Sequence, residues 1–116
     1  MTKIFVYGTL RKGFGLNHCL KAFKFLGVAK LTGFDMYSNG YYPMVVKGED
    51  EIVGEVYEIE DGESEMKILD QIECAYNRTK VKVKLNGKLT EVETYVYKGD
   101  VTHLEYIESG NWILRY

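Results

Sequence analysis

The side chain of this 116-residue chain whose position suggests proton transfer is Glu73. On the run Glu63 to Glu73, Met66, Ile68, Leu69 and Ile72 recur at helical spacing and define a buried side. Glu73 falls one turn after Leu69 and two turns after Met66, at the border of that side. A carboxylate held against apolar surface is costly when ionised, so its pKa rises and it can accept and return a proton near neutral pH. Asp70 projects well away from the apolar side and reads as solvated. Periodicity leaves a second reading of Glu73 open, a glutamate that ends a helix at the surface.

A second candidate group is backbone. The stretch Phe5-Val6-Tyr7-Gly8-Thr9-Leu10-Arg11-Lys12-Gly13 runs from strand-like sequence into a glycine-bearing turn. It is either a tight connection with Tyr7 packed in the core or a loop of N–H groups aimed at a ligand. It has the glycine spacing of a nucleotide phosphate loop, but Phe14 and Gly15 stand where Lys and Ser/Thr belong. Gly13-x-Gly15 is followed by His18 where a dinucleotide fingerprint needs glycine. His18, Cys19, Cys74 and His103 match no zinc spacing, and nothing local supports a Cys74–His103 nucleophile pair. The acidic run Glu58 to Glu63 lacks the alternating oxygen ligands of a calcium loop.

These groups need a scaffold. Lys3 to Tyr7 is a short β-rich run, and Asn17 to Phe25 carries apolar spacing that predicts a short helix. Leu26 to Tyr37, Met44 to Lys47 and Ile52 to Ile59 read as strands, the last two separated by an acidic turn at Gly48-Glu49-Asp50-Glu51. Glu63 to Glu73 is the predicted helix. Beyond it, Arg78 to Leu85 and Lys88 to Tyr97 flank Asn86-Gly87, the strongest short hairpin signal. A two-residue turn there pairs Val83 with Thr90 and Val81 with Val92, and sets Lys82 opposite Glu91 and Lys80 opposite Glu93. The basic row Arg78, Lys80, Lys82, Lys84 is therefore a solvated strand face rather than an RNA stripe. Strands outnumber helices and meet in hairpins, which predicts an α+β class with a small sheet curled toward a barrel.

Composition bounds the rest. The length suits one domain spanning residues 1–116, and 46% hydrophobic with 28% charged residues suits a globular fold rather than disorder. A net charge of −2 gives no general attraction to nucleic acid or an anionic membrane. The strand-like run at Lys3 leaves no targeting leader, no apolar stretch approaches membrane-spanning length, and Cys19 and Cys74 lie far apart without a C-x-x-C. A cytoplasmic protein with reduced cysteines is expected.

Taken in order, Val6-Tyr7-Gly8-Thr9-Leu10-Arg11-Lys12-Gly13, Asn17-His18, Gly40-Tyr41-Tyr42-Pro43, Gly54-Glu55-Val56-Tyr57, Leu69-Asp70-x-x-Glu73, Tyr76-x-Arg78 and Gly110-x-Trp112 cover almost the whole chain. This pattern resembles the gamma-glutamylcyclotransferase-like family, especially its gamma-glutamylamine cyclotransferase branch. The resemblance implies a compact single-domain mixed β-barrel with a few helices. It also implies a substrate cradle at Tyr7, Gly8, Thr9 and Leu10, with Glu73 as the catalytic acid/base. Tyr42 and Tyr76 are candidates for shaping the pocket, and Arg78 either holds a carboxylate or braces the barrel. Cys74 stands where many relatives have glycine. The implied reaction uses no metal or other cofactor. A small γ-glutamyl amine or peptide is converted to 5-oxoproline and a free amine. The alternative is a binding module of the same fold without turnover.

Overall fold

The computed structural model describes residues 1–114; the last two positions of the predicted domain, 115 and 116, lie outside the described residues. Six strands and one α-helix occur among the described residues, in the order β1 (Thr2–Val6), β2 (Lys24–Ser38), β3 (Pro43–Ile59), α1 (Glu63–Ile72), β4 (Tyr76–Leu85), β5 (Lys88–Tyr97) and β6 (Glu105–Tyr106).

The hydrogen bonding closes on itself. Strand β1 pairs antiparallel with β3 and parallel with β5, β5 pairs with β4, β4 with β2, and β2 returns to β3. Short β6 adds to β2 beyond this ring. The α+β class and the curled sheet expected from the sequence are what the chain adopts. The β4–β5 hairpin has the predicted register, with Val83 opposite Thr90 and Lys80 opposite Glu93. Its turn residues Asn86 and Gly87 have φ of 51° and 78°, the left-handed pair that such a two-residue turn requires.

Strand β1 explains where the core sits. It lies between β3 and β5, and its apolar run is buried on both faces. Phe5 and Tyr7 point into the ring with Leu31, Met36, Val45 and Trp112. Ile4 and Val6, one residue out of phase, point the other way and meet Met66 and Leu69 of α1 together with Leu20 and Phe23. The period of two thus splits one short strand between two cores.

Three sequence expectations change. The predicted helix over Asn17 to Phe25 is a single 3-10 turn, Asn17–Leu20, because Lys24 and Phe25 already pair with Glu58 and Tyr57 in the β2–β3 ladder. The predicted acidic turn at Gly48 to Glu51 lies inside continuous β3. There Glu51 pairs with Thr32 and Lys47 with Phe34, so three β3 residues bulge opposite Gly33. The carboxylate of Asp35 accepts from the N–H groups of Glu49 and Asp50 at 3.1 and 3.0 Å, replacing the ladder bonds that the bulge removes. On α1, Met66 and Leu69 are buried but Ile68 and Ile72 are 56% and 40% exposed, so the apolar stripe is narrower than its spacing predicts.

The C-terminal segment seals the ring. Ile107 donates its N–H to Met36 at 2.8 Å, and Val53 donates to Gly110 at 2.8 Å, which places Trp112 in the core. Gly110 has φ +62°, and a Cβ there would stand 1.9 Å from the Glu51 carbonyl oxygen. Both the conformation and the space require glycine. Gly110→Ala is expected to cost about 2 to 4 kcal/mol, seen as a fall of roughly 10 °C or more in melting temperature. A loss within experimental error would show that this segment does not hold the ring closed.

Candidate active site

The carboxyl ends of the parallel pair β1 and β5 open onto a cavity of about 500 Å³. Glu73, Tyr42, Tyr76 and the whole Tyr7–Leu10 segment line it. All seven positions singled out in the sequence therefore meet at one place. Pro43, Asn39, Tyr95 and Tyr97 also line the cavity and were not anticipated as site residues.

The loop after β1 is built around a buried ion pair. Arg11 and Glu55 are 4% and 5% exposed, and the Arg11 Nε lies 3.0 Å from a Glu55 carboxylate oxygen. The other oxygen of Glu55 accepts from the Lys12 N–H and from the Tyr57 hydroxyl, each at 3.0 Å. Arg11 also donates from Nη1 to the Asn111 side-chain oxygen at 2.9 Å. Asn17 donates to the Leu10 carbonyl at 2.8 Å and to the Tyr57 hydroxyl at 3.1 Å. Within the loop, Arg11 donates to the Gly8 carbonyl at 2.9 Å and Leu16 to the Thr9 carbonyl at 3.0 Å.

The carbonyls are thereby used within the protein, and the amides are left over. Among the described residues, the N–H groups of Gly8, Thr9 and Leu10 meet no protein acceptor. Three adjacent unused donors on a cavity wall form a seat for a carboxylate or an oxyanion. The readings of a packed Tyr7 and of a cradle turn out to be compatible. Tyr7 is buried and donates its hydroxyl to the Tyr95 carbonyl at 2.5 Å, while Gly8, Thr9 and Leu10 after it line the cavity. Glycine at position 8 has a steric reason. A Cβ there would stand 2.4 Å from Cγ of Pro43, so Gly8 lets the Pro43 wall approach the loop.

Glu73 ends α1 as its C-cap residue, its N–H bonded to the Leu69 carbonyl at 2.9 Å. It is half-buried, and desolvation pushes its carboxyl up to about 7. Its charge reaches the tyrosines around it. Burial, then Glu73, raises the Tyr76 phenol; burial, then Tyr76, then Glu73, raises that of Tyr7. Tyr76 donates to the Pro43 carbonyl at 2.7 Å and its ring meets Tyr97 edge-on at 5.4 Å.

Asp70 is partly exposed to solvent, as its position on the helix predicts, and it is also engaged by neighbours. Its carboxylate accepts from the Tyr95 hydroxyl at 2.8 Å and lies 3.5 Å from Arg78 Nη2, whose Nε is 3.6 Å from Glu93. Arg78 therefore braces the helix that carries Glu73 against β4 and β5. Cys74 is exposed, and among the described residues no group of three His, Cys, Asp or Glu side chains forms a metal-sized cluster. A signal for Glu55 was present in the sequence: a lone charge inside the apolar run Ile52 to Tyr57 demands a buried partner.

The model of the family described as Gamma-glutamyl cyclotransferase, AIG2-like matches residues 4–114. The Gamma-glutamylcyclotransferase family protein YtfP of Escherichia coli K12 is 33% identical over 114 residues, covering 97% of each chain. The crystal structure of an uncharacterized protein, PH0828, from Pyrococcus horikoshii superposes with a TM-score of 0.79 at 30% identity, over 97% of this chain and 90% of that one. A mouse AIG2-like protein shares the fold alone, with a TM-score of 0.78 at 24% identity over 93% of this chain and 86% of that one.

The buried pair makes a direct prediction. Glu55→Gln leaves the Arg11 charge buried without its counterion and should cost about 3 to 5 kcal/mol. Adding Arg11→Met to the same chain should recover part of that loss. Thermal unfolding of the two variants checks it, and a fully stable Glu55→Gln protein would remove the pair from its structural role.

Proposed function

Because the chain belongs to the Gamma-glutamyl cyclotransferase, AIG2-like family, we propose that its cavity closes the γ-glutamyl group of a small molecule into 5-oxoproline and releases the attached amine. The observation that carries this reading is the pairing, on one cavity wall, of unused loop N–H groups with a desolvated carboxyl poised near neutral pH.

The chemistry follows from those two groups. The substrate's α-amine nitrogen attacks its own γ-carbonyl carbon, forming the ring C–N bond. Ionised Glu73 takes a proton from that nitrogen. The tetrahedral intermediate collapses by breaking the bond to the departing amine, whose nitrogen receives the proton back from Glu73. One carboxyl serves both transfers, and no water or cofactor is consumed. The N–H groups of Gly8, Thr9 and Leu10 hold the substrate carboxylate or the oxyanion that develops on the γ-carbonyl oxygen. The enzyme's main task is to fold the substrate on itself, and holding the amine against the carbonyl is worth up to several kcal/mol. Tyr42 and Tyr76 shape the wall. With Cys19 and Cys74 both free thiols, the expected compartment is the cytoplasm.

Glu73→Gln tests the reading, because glutamine keeps the shape and removes the exchangeable proton. The variant should fold and bind but lose about 10² to 10⁴ in rate of 5-oxoproline release. A folded, binding variant with near wild-type turnover would sink the mechanism.

Wild-type kcat/KM should show an acidic limb with its midpoint near pH 7, the value to which burial lifts Glu73, and the residual rate of Glu73→Gln should lack it. Stability has the opposite sign. The folded-state value of about 7 exceeds the ordinary 4.5, so protonation favours the folded state. That contribution is complete below about pH 4.5 and is lost as pH rises through about 7. The melting temperature of Glu73→Gln should therefore gain on wild type across this window. Parallel pH curves for the two proteins would contradict the buried carboxyl.

A further inference from the structure

One acid of α1 has no part in the proposed reaction. Asp70 precedes Glu73 by three residues, and positions three apart on a helix are neighbours. Glu73 lines the cavity, whereas Asp70 is not among the residues of its wall. Asp70 instead reaches β5 and β4. Its Oδ1 accepts the Tyr95 hydroxyl at 2.8 Å, and its Oδ2 lies 3.5 Å from Arg78 Nη2. Tyr95 is buried and does line the cavity.

The end of α1 has little else to hold it. Of its last four residues, Leu69 to Ile72, only Leu69 is buried, and Cys74 and Ala75 beyond Glu73 are exposed. The backbone of Glu73 is bonded at both ends, its N–H to the Leu69 carbonyl at 2.9 Å and its carbonyl to the Tyr76 N–H at 3.0 Å. The first of these bonds is internal to the helix and turns with it. A helix end packed by one apolar side chain needs a polar tie to fix where it lies, and the bond from Asp70 to Tyr95 is that tie. Burial, then the bond to Asp70, raises the Tyr95 phenol, and the charge of Glu73 adds to this. The hydroxyl therefore stays a donor near neutral pH.

We propose that Asp70 is a positioning residue for Glu73: by accepting the Tyr95 hydroxyl it pins the end of α1, which keeps the Glu73 carboxyl on the wall that it shares with the loop amides. This rests on the reading of Glu73 as the proton carrier. The groups around that carboxyl are Tyr7 from β1, Tyr76 from β4, Tyr95 from β5 and Asp70 on its own helix, with Arg78 beyond Asp70.

The test compares Asp70→Ala, Asp70→Asn, Tyr95→Phe and the double variant Asp70→Ala with Tyr95→Phe. Asparagine loses the charge but keeps an oxygen that can accept the Tyr95 hydroxyl. Tyr95→Phe removes the same bond while keeping the ring and the carbonyl that Tyr7 uses, so it carries the test if Asp70→Ala fails to fold. With γ-glutamyl methylamide as substrate, well below each melting temperature, Asp70→Ala and Tyr95→Phe should each lose about ten- to a hundredfold in kcat with KM changed less than about twofold. The double variant should be no slower than the singles by more than about twofold, because both remove one bond. Asp70→Asn should keep most of the wild-type kcat. A readout without turnover is the Glu73 carboxyl itself, titrated by carbon-13 NMR. Its midpoint should fall from about 7 toward 4.5 in Asp70→Ala and Tyr95→Phe as the side chain reaches water, and stay near 7 in Asp70→Asn. A purely structural bond would lower the melting temperature and leave both kcat and the midpoint in place, which would overturn the proposal. Equal shifts in Asp70→Asn and Asp70→Ala would overturn it too, since the charge and not the bond would then be responsible. Wild-type protein that releases no 5-oxoproline would overturn the reaction, and the titration alone would still decide the positioning.

Discussion

A buried Arg11–Glu55 pair is the constraint on which the site depends. Two charges out of water are each costly, and their attraction offsets that cost only when the remaining hydrogen-bonding groups find partners. Here Lys12, Tyr57 and Asn111 supply them. The consequence reaches beyond the pair. Arg11, Lys12 and Leu10 are fixed in sequence beside Gly8 and Thr9, so anchoring the former to β3 and Asn17 determines the orientation of the latter. A loop whose carbonyls are bonded inward presents its amides outward. Fixed donors of this kind need no reorganisation when charge develops opposite them.

Glu73 works by the opposite device. Among the described residues it has no buried counterion, and its ordinary ionisation is opposed chiefly by desolvation. An acidic first turn and a helix C-terminus at Glu73 do nothing to relieve this, since the negative end of the helix dipole also disfavours a carboxylate there. The two carboxylates of the molecule that matter most are thus treated differently. Glu55 is buried with a full set of partners and is structural. Glu73 lies on a cavity wall with none among the described residues and holds its proton loosely around neutrality. That contrast, rather than burial as such, separates the group that holds the fold from the one suited to chemistry.

The sequence carried much of this because its local rules agreed. The β-rich run Lys3 to Tyr7, the Asn86-Gly87 turn and the Met66–Leu69 spacing each specify structure within a few residues. The failures share a cause. Asn17 to Phe25 has helical spacing, but strand pairing at Lys24 and Phe25 took precedence over local propensity. Gly48 to Glu51 has turn composition, but the Asp35 carboxylate from another strand satisfies it as a bulge. Asp70 has a solvated position on its own helix, and its partner Tyr95 is 25 residues away. What was illegible is what required knowing which distant residue arrives opposite.

Tyr95 ties the two halves of the site together. Its backbone carbonyl accepts the Tyr7 hydroxyl at the start of the donor loop, and its own hydroxyl donates to Asp70 one turn before Glu73. Loop and helix are therefore referred to the same residue of β5, and Arg78 and Glu93 stiffen the far side of that link. Intramolecular ring closure gains most when reacting atoms are held at contact distance, and a displacement near 1 Å forfeits about two orders of magnitude. A site assembled from a loop after β1 and a helix after β3 has no reason to hold that spacing by itself. Sharing β5 as a common reference supplies it, because parallel pairing fixes β1 against β5 and the Tyr95–Asp70 bond fixes α1 against the same strand.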